Sequence, residues 1–194
     1  ASSFINLKDY LRVYPQLFSR RELTAAVVVS FGVSGATLAM ITFVSGYLDR
    51  TFGLRPLEIS WLFLTVGVGA LIASPLAGWL SDRFTKRKIF LIANTLLAVP
   101  LLMLDQLSWG VPLVAAFFLI SLCVGFRQTA LQTLQTELVQ TNQRGAFLAL
   151  RNSCSQLGIS VAVFVGGILY SNFGYGAVTT LAAVMTLISS GIFY

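Results

Sequence analysis

Asp82 stands alone among four bases. In the stretch GWLSDRFTKRK (Gly78–Lys88) it is joined by Arg83, Lys86, Arg87 and Lys88, in a chain where 10% of residues are charged. Side chains so placed can form ion pairs, and Asp82 has Arg83 or Arg87 in its own segment and Arg144 further along as partners. The N-terminus of a helix in another bundle is a further option. Glu137, a second lone acid close to Arg144 in sequence, can complete a network with Arg83 or Arg87. Covalent chemistry has much less to draw on. The chain has no histidine, no paired acids, and two cysteines, Cys123 and Cys154, that both fall inside apolar runs. Thiols there ordinarily serve as packing groups, and a zinc site lacks its usual ligands. No catalytic residue, no metal ligand and no cofactor is expected, and an integral-membrane enzyme is disfavoured.

Uncharged polar residues make three further stripes. Ser30, Ser34, Thr37 and Ser45 recur at near-helical spacing, as do Gln128, Gln132 and Gln135, and Asn152, Gln156 and Ser160. Inside apolar runs such groups either line a solute path or hydrogen-bond neighbouring helices, contacts of about 0.6–2 kcal/mol each. Both readings stand for the serines and the threonine. Arg127 and Arg151 are costlier, since a charge at mid-bilayer costs at least about 2.5 kcal/mol on insertion scales. They read either as a positive inner mouth for anionic solutes, or as snorkelling arginines or partners of Glu137. Small residues also form stripes: Gly67, Ala70, Ser74 and Ala77, then Ser155, Gly158 and Ala162. Such faces let backbones come close, within one bundle or between two.

Six apolar runs must position these groups. The 194 residues are 56% hydrophobic with a mean hydropathy of +0.82, whereas a soluble domain carries roughly a quarter charged residues. A bilayer is crossed by about 20 apolar residues. The spans expected are Leu23–Leu48, Ile59–Leu80, Ile89–Leu104, Val111–Leu134, Ala146–Tyr170 and Ala177–Tyr194. They must be helical, because unpaired backbone groups in hydrocarbon cost several kcal/mol each. The fold class is therefore an all-α integral membrane protein, with a six-helix transmembrane bundle over residues 23–194. Residues 1–22 form an interfacial or linker segment. Phe4, Leu7, Leu11, Tyr14 and Phe18 recur there at helical spacing, and Ser19 and Glu22 suit a capping box. Pro56 and Glu58 suit the first turn of the second span.

Bases fall before the first span and in the second and fourth turns, which places those ends and the N-terminus in the cytoplasm, in a cell inner or plasma membrane. The net charge of +6 is thus a topology signal between apolar runs, and no nucleic acid partner is expected. Trp61, Trp79, Trp109, Tyr47, Tyr170 and Tyr175 lie at span ends, where an aromatic belt would sit at headgroup depth. The chain stops inside its last apolar run, so it is expected to be part of a longer chain.

GWLSDRFTKRK resembles the signature loop of the major facilitator superfamily, Gly-x-Leu-x-Asp-Arg-x-Gly-Arg-Lys. Gly78, Leu80, Asp82, Arg83, Lys86 and Arg87 match it, while Thr85 replaces a glycine, so a less tight turn is expected. Glu137, Arg144-Gly145 and RNSCSQLGISVAVFVGGILY resemble the fourth turn and fifth span of the same family. The resemblance implies one six-helix half of a secondary transporter or facilitator, which moves a small-molecule solute by alternating access in a lipid bilayer. Its partner would be the other half, in the same chain or a second copy. The resemblance further implies a conformational latch of Gly78, Asp82, Arg83, Arg87, Glu137 and Arg144, a plain basic anchor being the alternative. It puts Ser30, Ser34, Thr37, Gln128 and Arg127 along the substrate cavity. It puts Gly67, Ala70, Ser74, Gly158 and Ala162 at the interface between halves. The C-terminal half fits better, because Arg127 is followed by Gln128, Thr129, Ala130 and Leu131 and so lacks the Arg-x-x-Gln-Gly pattern of an N-terminal half. No acid lies mid-span, so ion coupling resides in the other half or the carrier is passive. A non-transporting scaffold or sensor of the same fold is the alternative function.

Overall fold

The structure, a computed structural model, describes residues 20–140 and 143–193, without the side chains of Asp82 and Phe193. The interfacial segment and the Ser19 half of the expected capping box lie outside the described residues. Among the described residues six α-helices follow one another: α1 (Arg21–Phe52), α2 (Pro56–Arg83), α3 (Lys86–Met103), α4 (Val111–Glu137), α5 (Arg144–Phe173) and α6 (Tyr175–Phe193). A 3-10 turn, Leu104–Gln106, extends α3. All six helices are long and apolar enough to cross a membrane. Four of them contain the expected spans; α3 stops at Met103, one residue short of the expected Leu104, and the last expected span ends on Tyr194, outside the described residues. The 32 residues of α1 rise about 48 Å, more than the roughly 30 Å of hydrocarbon, so helix ends project into the headgroups or the helix tilts.

Local chemistry sets the ends. Pro56 takes the first position of α2, where its missing N–H is not needed. The Glu58 carboxylate accepts the Arg55 backbone N–H at 2.8 Å. Gly53, at φ 64°, stops α1 and donates its N–H to the Asp49 carbonyl. The connection from α2 to α3 is only Phe84 and Thr85. Thr85 has φ −61° and ψ 118°, a conformation open to any residue. The turn is therefore tight without glycine, contrary to the looser turn expected.

The packing has an internal symmetry. α1 lies against α5 and α6, α4 lies against α2 and α3, and α3 meets α6. Exchanging the first three helices for the last three maps this pattern onto itself. Each triplet crosses an odd number of times, so the second is inverted relative to the first, as in an inverted repeat. Lipid supplies no hydrophobic drive between helices, so close packing must hold them. At the α1–α5 crossing a Cβ on Gly158 would overlap the Phe31 carbonyl, and one on Gly35 would come within 2.7 Å of the Gly158 carbonyl oxygen. At the equivalent α2–α4 crossing a Cβ on Gly125 would come within 2.5 Å of Ala73 Cβ.

These contacts correct part of the expected interface between halves. Gly158 and Ala162 are buried within the bundle against α1, whereas Gly67, Ala70 and Ser74 are exposed on α2. The aromatic belt is corrected as well. Trp61, Trp79 and Trp109 are exposed, but Tyr47 and Tyr175 are buried. They stack at 4.4 Å between ring centroids, and the Tyr175 hydroxyl donates to the Met40 carbonyl at 3.2 Å. These tyrosines close the bundle end opposite the charged turn.

Candidate functional site

Arg127, on α4, is turned into the bundle and is 1% exposed. Its Nη2 donates to Thr37 Oγ1 on α1 at 2.6 Å, and its Nη1 to Asn94 Oδ1 on α3 and Thr186 Oγ1 on α6, both at 3.4 Å. Asn94 Nδ2 in turn donates to the Thr186 carbonyl. One guanidinium thus ties four helices together. Its fork of five donors makes this reach feasible, and lysine has no equivalent. Every one of these partners is neutral, and Nε has none among the described residues. Beside it lies a cavity of about 10 Å³, bounded by Thr37, Thr186, Met40 and Leu97 among others. That is at the lower limit for one water.

A second rung joins α1 to α4 nearer the charged end. Gln135 Nε2 donates to Ser30 Oγ at 2.6 Å and to the Ala26 carbonyl at 3.0 Å. Ser30 is buried and donates onward to the Ala26 carbonyl. Of the residues expected to line a cavity, Ser30 and Thr37 therefore bind α4, and Ser30 faces no open surface. Ser34 and Gln128 are half-buried. Arg127 neither snorkels nor pairs with Glu137. Sequence reasoning missed Asn94 and Thr186. Asn94 stands beside Thr95 with no stripe of its own, Thr186 shares a helical face with Thr179 and Ser189, and a further available signal was the buried arginine's own need for acceptors.

At the charged end, Glu137 is drawn to the α2–α3 turn, but by Lys86, the one ion pair among the described residues. Arg83 lies over the Trp79 ring at 4.0 Å, a cation–π contact. Arg87 lines a crevice with Glu22, Leu134 and Ile192, and Arg144 is exposed at the start of α5. A Cβ on Gly78 would meet nothing within 4 Å, so no helix approaches closely there. The side chain of Asp82 lies outside the described residues. Glu137 thus pairs with the turn through Lys86, where Arg83 or Arg87 was expected. Glu137→Gln is expected to lower stability by no more than about 1 kcal/mol, as for a partly exposed pair, measured by thermal unfolding of purified protein.

The outer faces of the helices are mostly apolar, α5 included at Leu157, Phe164 and Phe173, and differ in where they carry amides. α3 and α6 present Ile92, Leu96, Val99, Val184, Leu187 and Ile188. α5 presents Asn152 and Gln156, and α4 presents Gln132, all exposed and with no hydrogen bond among the described residues. Exposed hydroxyls can bond their own helix backbone: Ser160 on α5 donates to the Gln156 carbonyl, and Ser74 on α2 to the Ala70 carbonyl. The Asn172 amide near the end of α5 does the same to the Ile168 carbonyl, but Asn152, Gln156 and Gln132 make no such bond among the described residues. Leaving one unpaired in hydrocarbon costs about 4–8 kcal/mol on a cyclohexane scale, so the α4–α5 face calls for water or a second protein surface. No cluster of three or more His, Cys, Asp or Glu suited to a metal exists among the described residues.

A six-helix bundle of inverted triplets, with a two-residue turn flanked by bases and an amide-bearing face, has the architecture of a membrane transporter half. Residues 25–194 match the Major Facilitator Superfamily, and the chain belongs to that family. It is 34% identical over 155 residues to the inner membrane metabolite transport protein YhjE of Escherichia coli, a match covering 77% of this chain and 35% of the relative. It is 27% identical over 139 residues to the niacin transporter NiaP of Acinetobacter baylyi, covering 70% and 31% respectively. It is 30% identical over 150 residues to the mouse solute carrier family 22 member 18, covering 74% and 36%. The chain spans about a third of the length of these relatives. It is a multi-pass membrane protein.

Proposed function

We propose that this chain is the C-terminal six-helix half of a carrier that moves a small solute by alternating access, with the α4–α5 face turned to the other half and to the solute path. One observation carries this reading: α4 and α5 expose Asn152, Gln156 and Gln132 with no hydrogen bond among the described residues, whereas the exposed polar side chains along the spans of α3 and α6 are hydroxyls that bond their own helix. The exposed small residues of α2, Gly67, Ala70 and Ser74, extend the surface available to the partner half. The basic ends face the cytoplasm, following the positive-inside rule. The Glu137–Lys86 pair, with Asp82, Arg83 and Arg87 in the same turn, acts as the latch that holds one conformation.

The solute is an anion. Every acid in the sequence lies at a helix end or in a connecting or leading segment, so no carboxylate within a span cancels the field of Arg127. In a low-dielectric surround that field reaches well beyond contact distance. The relative named as a niacin transporter supports a small organic solute.

Uptake by the full-length protein in proteoliposomes tests the reading. Small carboxylates are expected to enter saturably and faster than neutral sugars of similar size, and Gln156→Leu is expected to reduce the flux at least about tenfold, one tenfold step being 1.36 kcal/mol of barrier. Glu137→Gln is expected to change the rate of exchange more than its small effect on stability. Absence of flux with every solute class would favour a scaffold or sensor instead.

A further inference from the structure

A groove of about 450 Å³ runs between α3 and α4 on the outside of the bundle, closed at one end by the last turn of α2. Its walls are Ile92, Ala93 and Leu96 from α3 and Leu119, Leu122 and Phe126 from α4. Lys88 lines its rim, the one charged residue to do so. Lys88 is exposed and makes no ion pair among the described residues. Arg87, its neighbour, lines a different crevice. The groove therefore has an apolar length and a single cationic end.

Its dimensions are those of one leaflet. From Lys88 to Leu96 the chain climbs about 12 Å along α3, at 1.5 Å per residue. Half of the hydrocarbon core is about 15 Å deep. A soluble solute would find no hydrogen-bonding group in these walls. A transmembrane helix of another protein would have to bury the Lys88 ammonium or displace it. A phospholipid meets both ends of the groove: an acyl chain for the walls and a phosphate for the lysine, with further bases in the same turn to favour a net negative headgroup.

We propose that this groove is a binding site for an anionic phospholipid of the leaflet on the basic side, its phosphate at Lys88 and one acyl chain between α3 and α4. The site is separate from the amide face of α4 and α5. The lipid would brace the α3 start against the α2–α3 turn, so headgroup charge would bear on the same turn that carries the Glu137 contact.

The test uses the full-length protein with Ile92→Trp as a reporter and its native tryptophans changed to phenylalanine, in phosphatidylcholine vesicles. Quenching by phosphatidylglycerol with dibrominated chains is compared with quenching by dibrominated phosphatidylcholine. Phosphatidylglycerol is expected to quench with about fivefold higher apparent affinity, a preference of the size one lysine gives near a charged surface, and Lys88→Gln is expected to abolish it. Equal quenching by both lipids would mean an ordinary lipid annulus, and no quenching by either would mean that protein covers the groove. Either result overturns the proposal. Native mass spectrometry of otherwise unaltered protein, with and without Lys88→Gln, gives the same comparison should the reporter fail to fold. There, retention of phosphatidylglycerol over phosphatidylcholine is expected to fall with the substitution, and an unchanged ratio overturns the site.

Discussion

Arg127→Lys is expected to lower transport by the full-length protein at least about 10²-fold while leaving it folded and inserted. A lysine keeps the positive charge but places it as a single point on a flexible stem. It cannot reach Thr37 on α1, Asn94 on α3 and Thr186 on α6 together, as the guanidinium does. Loss of two of these contacts leaves buried acceptors unpaired, each at about 1–3 kcal/mol, and every 1.36 kcal/mol lost from a transition state is tenfold in rate. The four helices tied at this point include α1 and α4, which Gln135 also joins through Ser30 and Ala26. Their relative placement has to survive each conformational cycle. Arg127→Leu is expected to be worse, since it removes the charge as well. Initial uptake rates, set against the yield of monodisperse protein, separate loss of function from loss of folding. An Arg127→Lys protein that transports at the parent rate would reduce the guanidinium to a packing group.

The second large effect is expected at the α1–α5 crossing. Gly158→Ala forces a Cβ against the Phe31 carbonyl. The obstacle is backbone rather than the tip of a flexible side chain, so the helices must separate. Overpacking of this kind costs about 1–3 kcal/mol, and Gly158→Leu is expected to prevent α1 and α5 from seating at all. Gly191 is the control. It lies in α6 with nothing within 4 Å of an added Cβ, and Gly191→Ala is expected to be neutral or to stabilise, since alanine is favoured over glycine in a helix by about 0.5–1 kcal/mol. Thermal unfolding of the two variants side by side reads the difference.

Much of this architecture is legible in the sequence. Six apolar runs interrupted by short polar turns leave a chain in lipid almost no choice but six helices. Pro56 and Glu58 mark the start of α2 because their chemistry is local: a ring that needs no N–H partner and a carboxylate that reaches a nearby one. The GWLSDRFTKRK turn could be placed between spans for the same reason. What could not be read is which face of a helix meets which neighbour. In water, polar residues mark the outside. In lipid both faces are apolar, and periodicity says little about direction.

That is why Tyr47 and Tyr175 read as belt residues and prove to be a stacked pair inside the bundle. Gly158 and Ala162 read as well for contacts outside the bundle as inside it, until the Phe31 carbonyl settles the matter. Asn94 forms no stripe, and the stripe that Thr186 makes with Thr179 and Ser189 does not by itself say what it serves. Only the arginine they serve gives them meaning. Lys86 was visible in the turn, yet nothing in the spacing distinguished it from Arg83 or Arg87 as the partner of Glu137.

The central claim is that the α4–α5 face lines an aqueous path between two halves. A cysteine placed at Gln156, in an otherwise cysteine-free full-length protein in membranes, tests it most directly against one placed at Ile188 on the apolar face of α6. The account predicts that a water-soluble maleimide modifies the Gln156→Cys protein, at a rate changed by transported solute, and leaves the Ile188→Cys protein unmodified. Equal resistance of both positions to the reagent, with and without solute, would contradict it.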